Sequence, residues 1–183
     1  MTPCTRQVVI IVTLIIAFCS VSLRAQGLDT NFPDRKAIIV NSCPHVELSG
    51  FSFQNRYADR QTRFETHMVW KNIGSQPLVA FEIVILKYNA FNRRLIGERW
   101  TVTGTNSANW KPLWPGNSSQ DGTIGYGSED VFTAIAYVRA ARLDDGTVWE
   151  VNDSQLLSEL RKIVPGLKDF GEIKPDPKVK SPS

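Results

Sequence analysis

The sequence predicts an all-β protein, a single antiparallel β-sandwich carrying a short C-terminal helix. Three observations lead there. Residues 64–100 contain three strand-like runs, FETHMVWKN, LVAFEIVILKYNAF and IGERW, separated by the turn segments IGSQP and NRRL. A hairpin signal, Asp144-Asp145-Gly146-Thr147, divides residues 131–143 from Val148-Trp149-Glu150-Val151. The clearest helical period, Leu156, Leu157, Leu160, Ile163 and Val164, comes only after the last strand.

Residues 1–25 have the layout of a secretory signal. Arg6 supplies positive charge, residues 8–18 are apolar except for Thr13, and Ala25 offers a small residue before Gln26. Cleavage after Ala25 is expected, with Ser22 as second choice. Retention as a membrane anchor competes, although the run is short for a span of about 17–25 residues. A lipoprotein site at Cys19 is opposed by the bulk of Phe18. The expected location is the periplasm or the exterior, with membrane contact only if the segment stays as an anchor.

Removing that segment changes the charge. It holds Arg6 and Arg24 and no acid, so 19 of the 21 basic residues remain against 18 acidic ones. A near-neutral domain gives no reason to expect nucleic acid. Cys43 is the one cysteine left, which excludes an intrachain disulfide but leaves an intermolecular one open. Cys43, His45 and His67 are too few and too scattered for a zinc site, so no metal and no cofactor are expected.

Residues 26–44 read as a lead-in, with KAIIV at 36–40 as a possible short strand. Val46, Leu48, Phe51 and Phe53 alternate around Gly50, which suggests a strand with a bulge. Phe64, Thr66, Met68 and Trp70 then share one face of a strand, and Glu65, His67, Val69 and Lys71 the other. His67 is thereby placed on a solvated face. Residues 78–91 are apolar on both faces, which requires cover on both sides or a change of face at a bulge. Lys87 and Asn89 fall on the Phe81 face. This favours a bulge near residues 85–87, after which Leu86 and Tyr88 turn inward.

Residues 103–127 read as a long irregular loop. It contains Trp110, Lys111, Pro112, Leu113, Trp114, Pro115 and Gly116. Tryptophan combines a flat apolar face with an N–H donor, so Trp110, Lys111 and Trp114 are the candidate contact residues for a protein or glycan partner. The competing reading has Leu113 and Trp114 closing the end of the sandwich. In the next strand, Phe132, Ala134, Ala136, Val138 and Ala140 form a small-residue face. Glu82 and Arg139 interrupt apolar faces of strands expected to be neighbours, which suggests a buried ion pair, since a buried charge needs a partner. Asp144 and Asp145 read as turn formers before any catalytic acid pair. Asn152 should cap the helix, and Pro165-Gly166 should end it. The sandwich and helix are assigned to 45–165, and 166–183 to a disordered tail.

The order VWKNIGSQPLVAFEIVILKYNAFNRRL, LWPG and DDGTVWE resembles exported immunoglobulin-like β-sandwiches of the FxLYD and LEA14-like kind. Asn72, Gly74, Pro77, Pro115 and Gly116 carry the likeness, and Ile85-Leu86-Lys87-Tyr88 is a rough counterpart of the family tetrapeptide. The resemblance implies an immunoglobulin-like sandwich of about seven strands and brings no catalytic residues. The expected function is therefore a non-enzymatic binding or interaction module. A carbohydrate-binding domain using Trp110 and Trp114 is the alternative, and a hydrolase comes third.

Overall fold

The computed structural model describes residues 36–58, 60–103, 111–127 and 130–174. The signal-like segment and Trp110 lie outside them. Eight strands and one helix follow in order: β1 (Lys36–Val40), β2 (Val46–Ala58), β3 (Gln61–Asn72), β4 (Leu78–Tyr88), β5 (Arg94–Thr103), β6 (Ser118–Gly127), β7 (Thr133–Leu143), β8 (Val148–Glu150) and α1 (Asp153–Ile163). They form an all-β sandwich with a C-terminal helix. One sheet has the order β1-β7-β4-β5, with β8 also on β7, and the other is β2-β3-β6. Every strand pair is antiparallel except β1 with β7, which run parallel. The lead-in thus contributes a strand of the sheet.

The inner faces meet in one apolar core. Leu48, Met68 and Trp70 from one sheet pack with Phe81, Ile83, Ile85, Trp100 and Val138 from the other. Trp70 sets its ring edge-on to both Phe81 and Trp100, at 5.5 Å centroid separations. Each buried large side chain of this kind stabilises the fold by roughly 1.5–3 kcal/mol. Period-two alternation in β3 supplies this face as expected, with Phe64, Thr66, Met68 and Trp70 buried. Gly50 takes φ +57°, and the β2 register shifts between Ser49 and Ser52, the expected bulge.

The outer face of the larger sheet holds a second core. Val84, Leu86 and Tyr88 of β4 and Ile135 and Tyr137 of β7 pack under Leu156 and Leu160 of α1. This explains why β4 is apolar throughout: it is covered on both sides. The expected inward turn of Leu86 and Tyr88 does not occur. A register shift does lie between Ile85 and Lys87, but β5 carries the extra residue, since Glu98 pairs with Ile85 and Leu95 with Lys87. Lys87 itself points inward. Its Nζ lies 2.7 Å from Glu98 Oε1, with both side chains under 10% exposed (7% and 9%), and 5.1 Å from the Phe64 ring centre. Between Glu82 and Ile83 the β4–β7 register also shifts, so Ala141 and Leu143 continue the inner face after Val138, in place of Ala140.

Two expectations about irregular chain are corrected. Residues 118–127 form β6 and are not loop. Pairing with β3 along the whole strand overrides the weak strand propensity of its glycines, and two of those are sterically required. A Cβ at Gly122 would run into the Thr66 carbonyl, and one at Gly125 into the Glu98 carboxylate. The segment after the helix also packs, so the tail expected from residue 166 is ordered through Lys174. Leu167 is buried in the second core, Arg94 pairs with Asp169 at 2.7 Å, and Gly97 N–H donates to Glu172 O. Residues 175–183 lie outside those described. Asn152 caps α1 through its side chain, which accepts from Gln155 N–H.

Candidate functional site

Strand directions bring four connections to one end of the sandwich: the 43–45 turn, the 72–77 turn, the 113–117 turn and the β7–β8 hairpin. Asn72 joins two of them. Its Nδ2 donates to Leu113 O at 2.7 Å and to Gln76 O at 2.8 Å, and its Oδ1 accepts from Gly74 N–H at 2.9 Å. Its backbone N–H donates to Asn117 O, and its carbonyl accepts from Gly116 N–H. Leu78 and Leu113 exchange a pair of backbone hydrogen bonds, and Asp144 N–H donates to Pro77 O. Of the residues behind the family resemblance, Asn72, Gly74, Pro77 and Gly116 thus belong to one hydrogen-bonded knot, and Pro115 sits beside Gly116 in the 113–117 turn.

The knot presents Trp114. Leu113 is buried beneath it, whereas Trp114 is 61% exposed. Asn117 N–H closes the turn on Trp114 O, and Gly116 takes φ +80°, a conformation that favours glycine. The competing reading therefore divides between neighbours: Leu113 closes the end of the sandwich and Trp114 stands clear of it. Lys111 and Pro115 are exposed on either side, and Ile73 is an exposed apolar residue on the adjoining turn. Asp144 and Asp145 sit in the hairpin turn at the same end. Asp145 accepts from Thr147 N–H at 2.8 Å, and this bond holds its carboxyl below the usual range, as a turn-forming acid requires.

Cys43, at the same end, is 5% exposed. Burial pushes its thiol up, against the pull of the His45 and Val46 backbone N–H groups. Alkylation of Cys43 by iodoacetamide in the folded chain is expected to run roughly tenfold or more slower than in urea, because a buried neutral thiol is a poor nucleophile. Peptide mass spectrometry under both conditions checks this. Equal rates would show the thiol to be accessible and would restore the intermolecular disulfide.

Glu82 and Arg139 lie on the outer face of the larger sheet, beside the helix start. Arg139 Nε is 3.8 Å from Glu82 Oε1, and Arg99 Nε is 3.5 Å from the same oxygen. Arg139 also reaches Asp153 at 3.5 Å. The expectation of a buried pair is corrected in degree: the two side chains are 22% and 33% exposed, in a partly solvated cluster of four charges. Such a cluster fastens α1 to the sheet and carries little energy per pair. Beneath the helix, burial raises the Tyr137 hydroxyl to about 12, with Arg139 opposing the shift.

His67 is exposed on the outer face of β3. A wide groove of about 510 Å³ there is lined by Ser52, Gln54, Glu65 and His67. The groove brings together a histidine, an acid and a hydroxyl. Glu65 accepts from Gln54 Nε2 at 2.7 Å, and no hydrogen bond joins His67 to Ser52 or Glu65 among the described residues. No group of three or more His, Cys, Asp or Glu among the described residues is placed to hold a metal ion. Among them, too, no helix is long and apolar enough to cross a membrane.

The site residue that sequence reasoning missed is Asn72 as the support of Trp114. Its signal was the NIGSQP turn itself, in which an asparagine two residues before a glycine can accept from the glycine N–H.

No known protein-family profile matches the chain, and no curated protein is similar to it. Matches among solved structures include the following three, all at low identity. A hypothetical protein from Peptoclostridium difficile 630 is 11% identical, with 64% of this chain and 91% of that one covered at a TM-score of 0.42. An ApaA-like protein from Bordetella pertussis is 16% identical, with 58% and 88% covered at 0.33. A structural-genomics target, SoR45, is 14% identical, with 58% and 78% covered at 0.35. These values assign neither a family nor an activity.

Proposed function

We propose that this chain is an exported, non-enzymatic binding or interaction module of the FxLYD and LEA14-like kind, and that its contact surface is the turn cluster around Trp114. The observation that supports this reading is an exposed tryptophan on a turn whose backbone is pinned by a buried asparagine. An aromatic carried on a pinned backbone has less main-chain freedom to lose on binding, and tryptophan is among the residues most enriched at interface hot spots. Lys111, Ile73 and Pro115 extend the surface around it. Loops gathered at one end of a sandwich are a common place for recognition.

The test compares wild type with Trp114→Ala in affinity capture from envelope extracts and on a glycan array. Trp114→Ala should stay folded, because the side chain packs on no core, and should weaken capture of a specific protein by at least about tenfold. Loss of a glycan signal in place of a protein signal supports the carbohydrate-binding alternative, in which Trp110 joins Trp114. Equal behaviour of the two proteins on both assays ends the assignment of this surface.

A further inference from the structure

The free edge of β6 points to a second copy of this chain. Strand β6 is the last strand of its sheet, paired with β3 on one side only. The hydrogen bonds show which backbone groups face outward. Asn117 O accepts from Asn72 N–H, so the odd-numbered residues of this stretch turn toward β3. The even-numbered ones, Gln120, Gly122, Ile124 and Tyr126, then turn their N–H and C=O groups away from it. Two local bonds agree: Gly122 N–H is taken by the adjacent Asp121 carboxylate, and Tyr126 O by Lys174 Nζ. Side chains alternate in the same sense. Ile124 and Tyr126 are exposed, and Thr123 and Gly125 are partly buried.

Among the described residues, this edge lacks the devices found on β2 and β5. Strand β2 has its bulge, and the Asn41 side chain bonds both Leu48 N–H and Leu48 O. The edge of β5 is met by the 172–174 segment at Gly97. Among the described residues, Asp121 and Lys174 protect the β6 edge, one charge toward each end. An unprotected edge with exposed apolar side chains is a template for another strand.

We infer that two copies pair antiparallel through β6 about a two-fold axis at Thr123, joining the two three-stranded sheets. In this register Ile124 of one copy lies opposite Gly122 of the other, and Tyr126 opposite Gln120. Gly122, which lies opposite the incoming Ile124, has no side chain because Thr66 O of its own chain fills that space. The charges are self-complementary. Antiparallel pairing sets Asp121 of one copy beside the end of the other where Lys174 holds Tyr126 O and Arg63 stacks on the Tyr126 ring at 5.8 Å. The local bond from Gly122 N–H to the Asp121 carboxylate is exchanged for a strand bond, which frees the carboxylate for those cations. The pairing is independent of any role for Trp114.

The experiment uses the full chain in the expressing cell. The two Thr123 residues face each other as a non-hydrogen-bonded pair, close enough for a disulfide. Thr123→Cys should yield, on mild oxidation of washed cells, a dimer whose linked peptide joins residue 123 to residue 123. Adding Ile124→Lys should reduce that product at least tenfold, with circular dichroism showing the fold retained. Wild-type protein should sediment as a dimer at micromolar concentration and the Ile124→Lys protein as a monomer. A wild type that stays monomeric, a folded Thr123→Cys chain with no 123–123 link, or a link undiminished by Ile124→Lys overturns the inference.

Discussion

Lys87→Met is expected to destabilise the protein by about 3–5 kcal/mol, the usual cost of leaving one partner of a buried ion pair alone. Lys87 and Glu98 meet at 2.7 Å between the sheets, and almost no water reaches either side chain. Lys87 further lies over the Phe64 ring, and Glu98 packs where Gly125 leaves room for it. Met at position 87 keeps the apolar stem and removes the charge. The Glu98 carboxylate then lies buried beside Gly125 without the ion-pair partner it has in the wild type. The double variant Lys87→Met, Glu98→Leu behaves differently. It removes both desolvated charges, and its stability should return to within about 1 kcal/mol of wild type or exceed it, because a buried pair contributes little net stability over apolar groups of similar volume. Urea unfolding of the two single variants and the double variant, followed by tryptophan fluorescence, measures the coupling. Single variants that lose less than about 1 kcal/mol would show the pair to be solvated.

The same pair marks where sequence reasoning reached its limit. Lys87 was placed correctly on the Phe81 face by period-two counting. By local pattern alone, an inward lysine requires that β4 change face. Its neutralising partner lies across the β4–β5 hairpin, and the register there depends on the extra residue in β5, which no local pattern reveals. The cover over Val84, Leu86 and Tyr88 was likewise visible only in pieces. The leucine face of α1 was legible from its 3.6-residue period. That it lands on the outer face of β4 and β7 is a tertiary fact. Strand β3 was legible because three of the four residues on its inner face, Phe64, Met68 and Trp70, are large and apolar, and the β7–β8 turn because Asp-Gly tolerates its backbone. Strand β6 was not, since its place rests on pairing and on two close approaches at glycine, not on side-chain pattern. In the candidate site, the exposed Trp114 was a proposal of composition alone. Which of Leu113 and Trp114 faces water was decided by the Leu78–Leu113 backbone pairing.

Asn72→Leu should cost roughly 3 kcal/mol or more, since each buried polar group left unsatisfied costs about 1–3 kcal/mol. The buried amide of Asn72 serves Leu113 O, Gln76 O and Gly74 N–H at once. Leucine is of similar size, so the loss is one of hydrogen bonds with little change in volume. Asn72→Asp separates the roles. An aspartate still accepts from Gly74 N–H, but its second oxygen meets the carbonyls of Leu113 and Gln76 where a donor is needed. Carboxylate against carbonyl is repulsive and the charge is buried, so Asn72→Asp should be at least as destabilising as Asn72→Leu despite being the smaller chemical change. The effect should also reach Trp114. With the amide bonds gone, the 113–117 turn keeps only its backbone contacts, and amide hydrogen exchange at Gly116 and Asn117 should rise more than in the β4–β7 core. Urea midpoints for the two variants, with exchange resolved by residue, give the answer. An Asn72→Asp chain as stable as wild type would mean that the Asn72 side chain does not donate to the two carbonyls, and the turn that carries Trp114 would then owe its shape to backbone pairing alone.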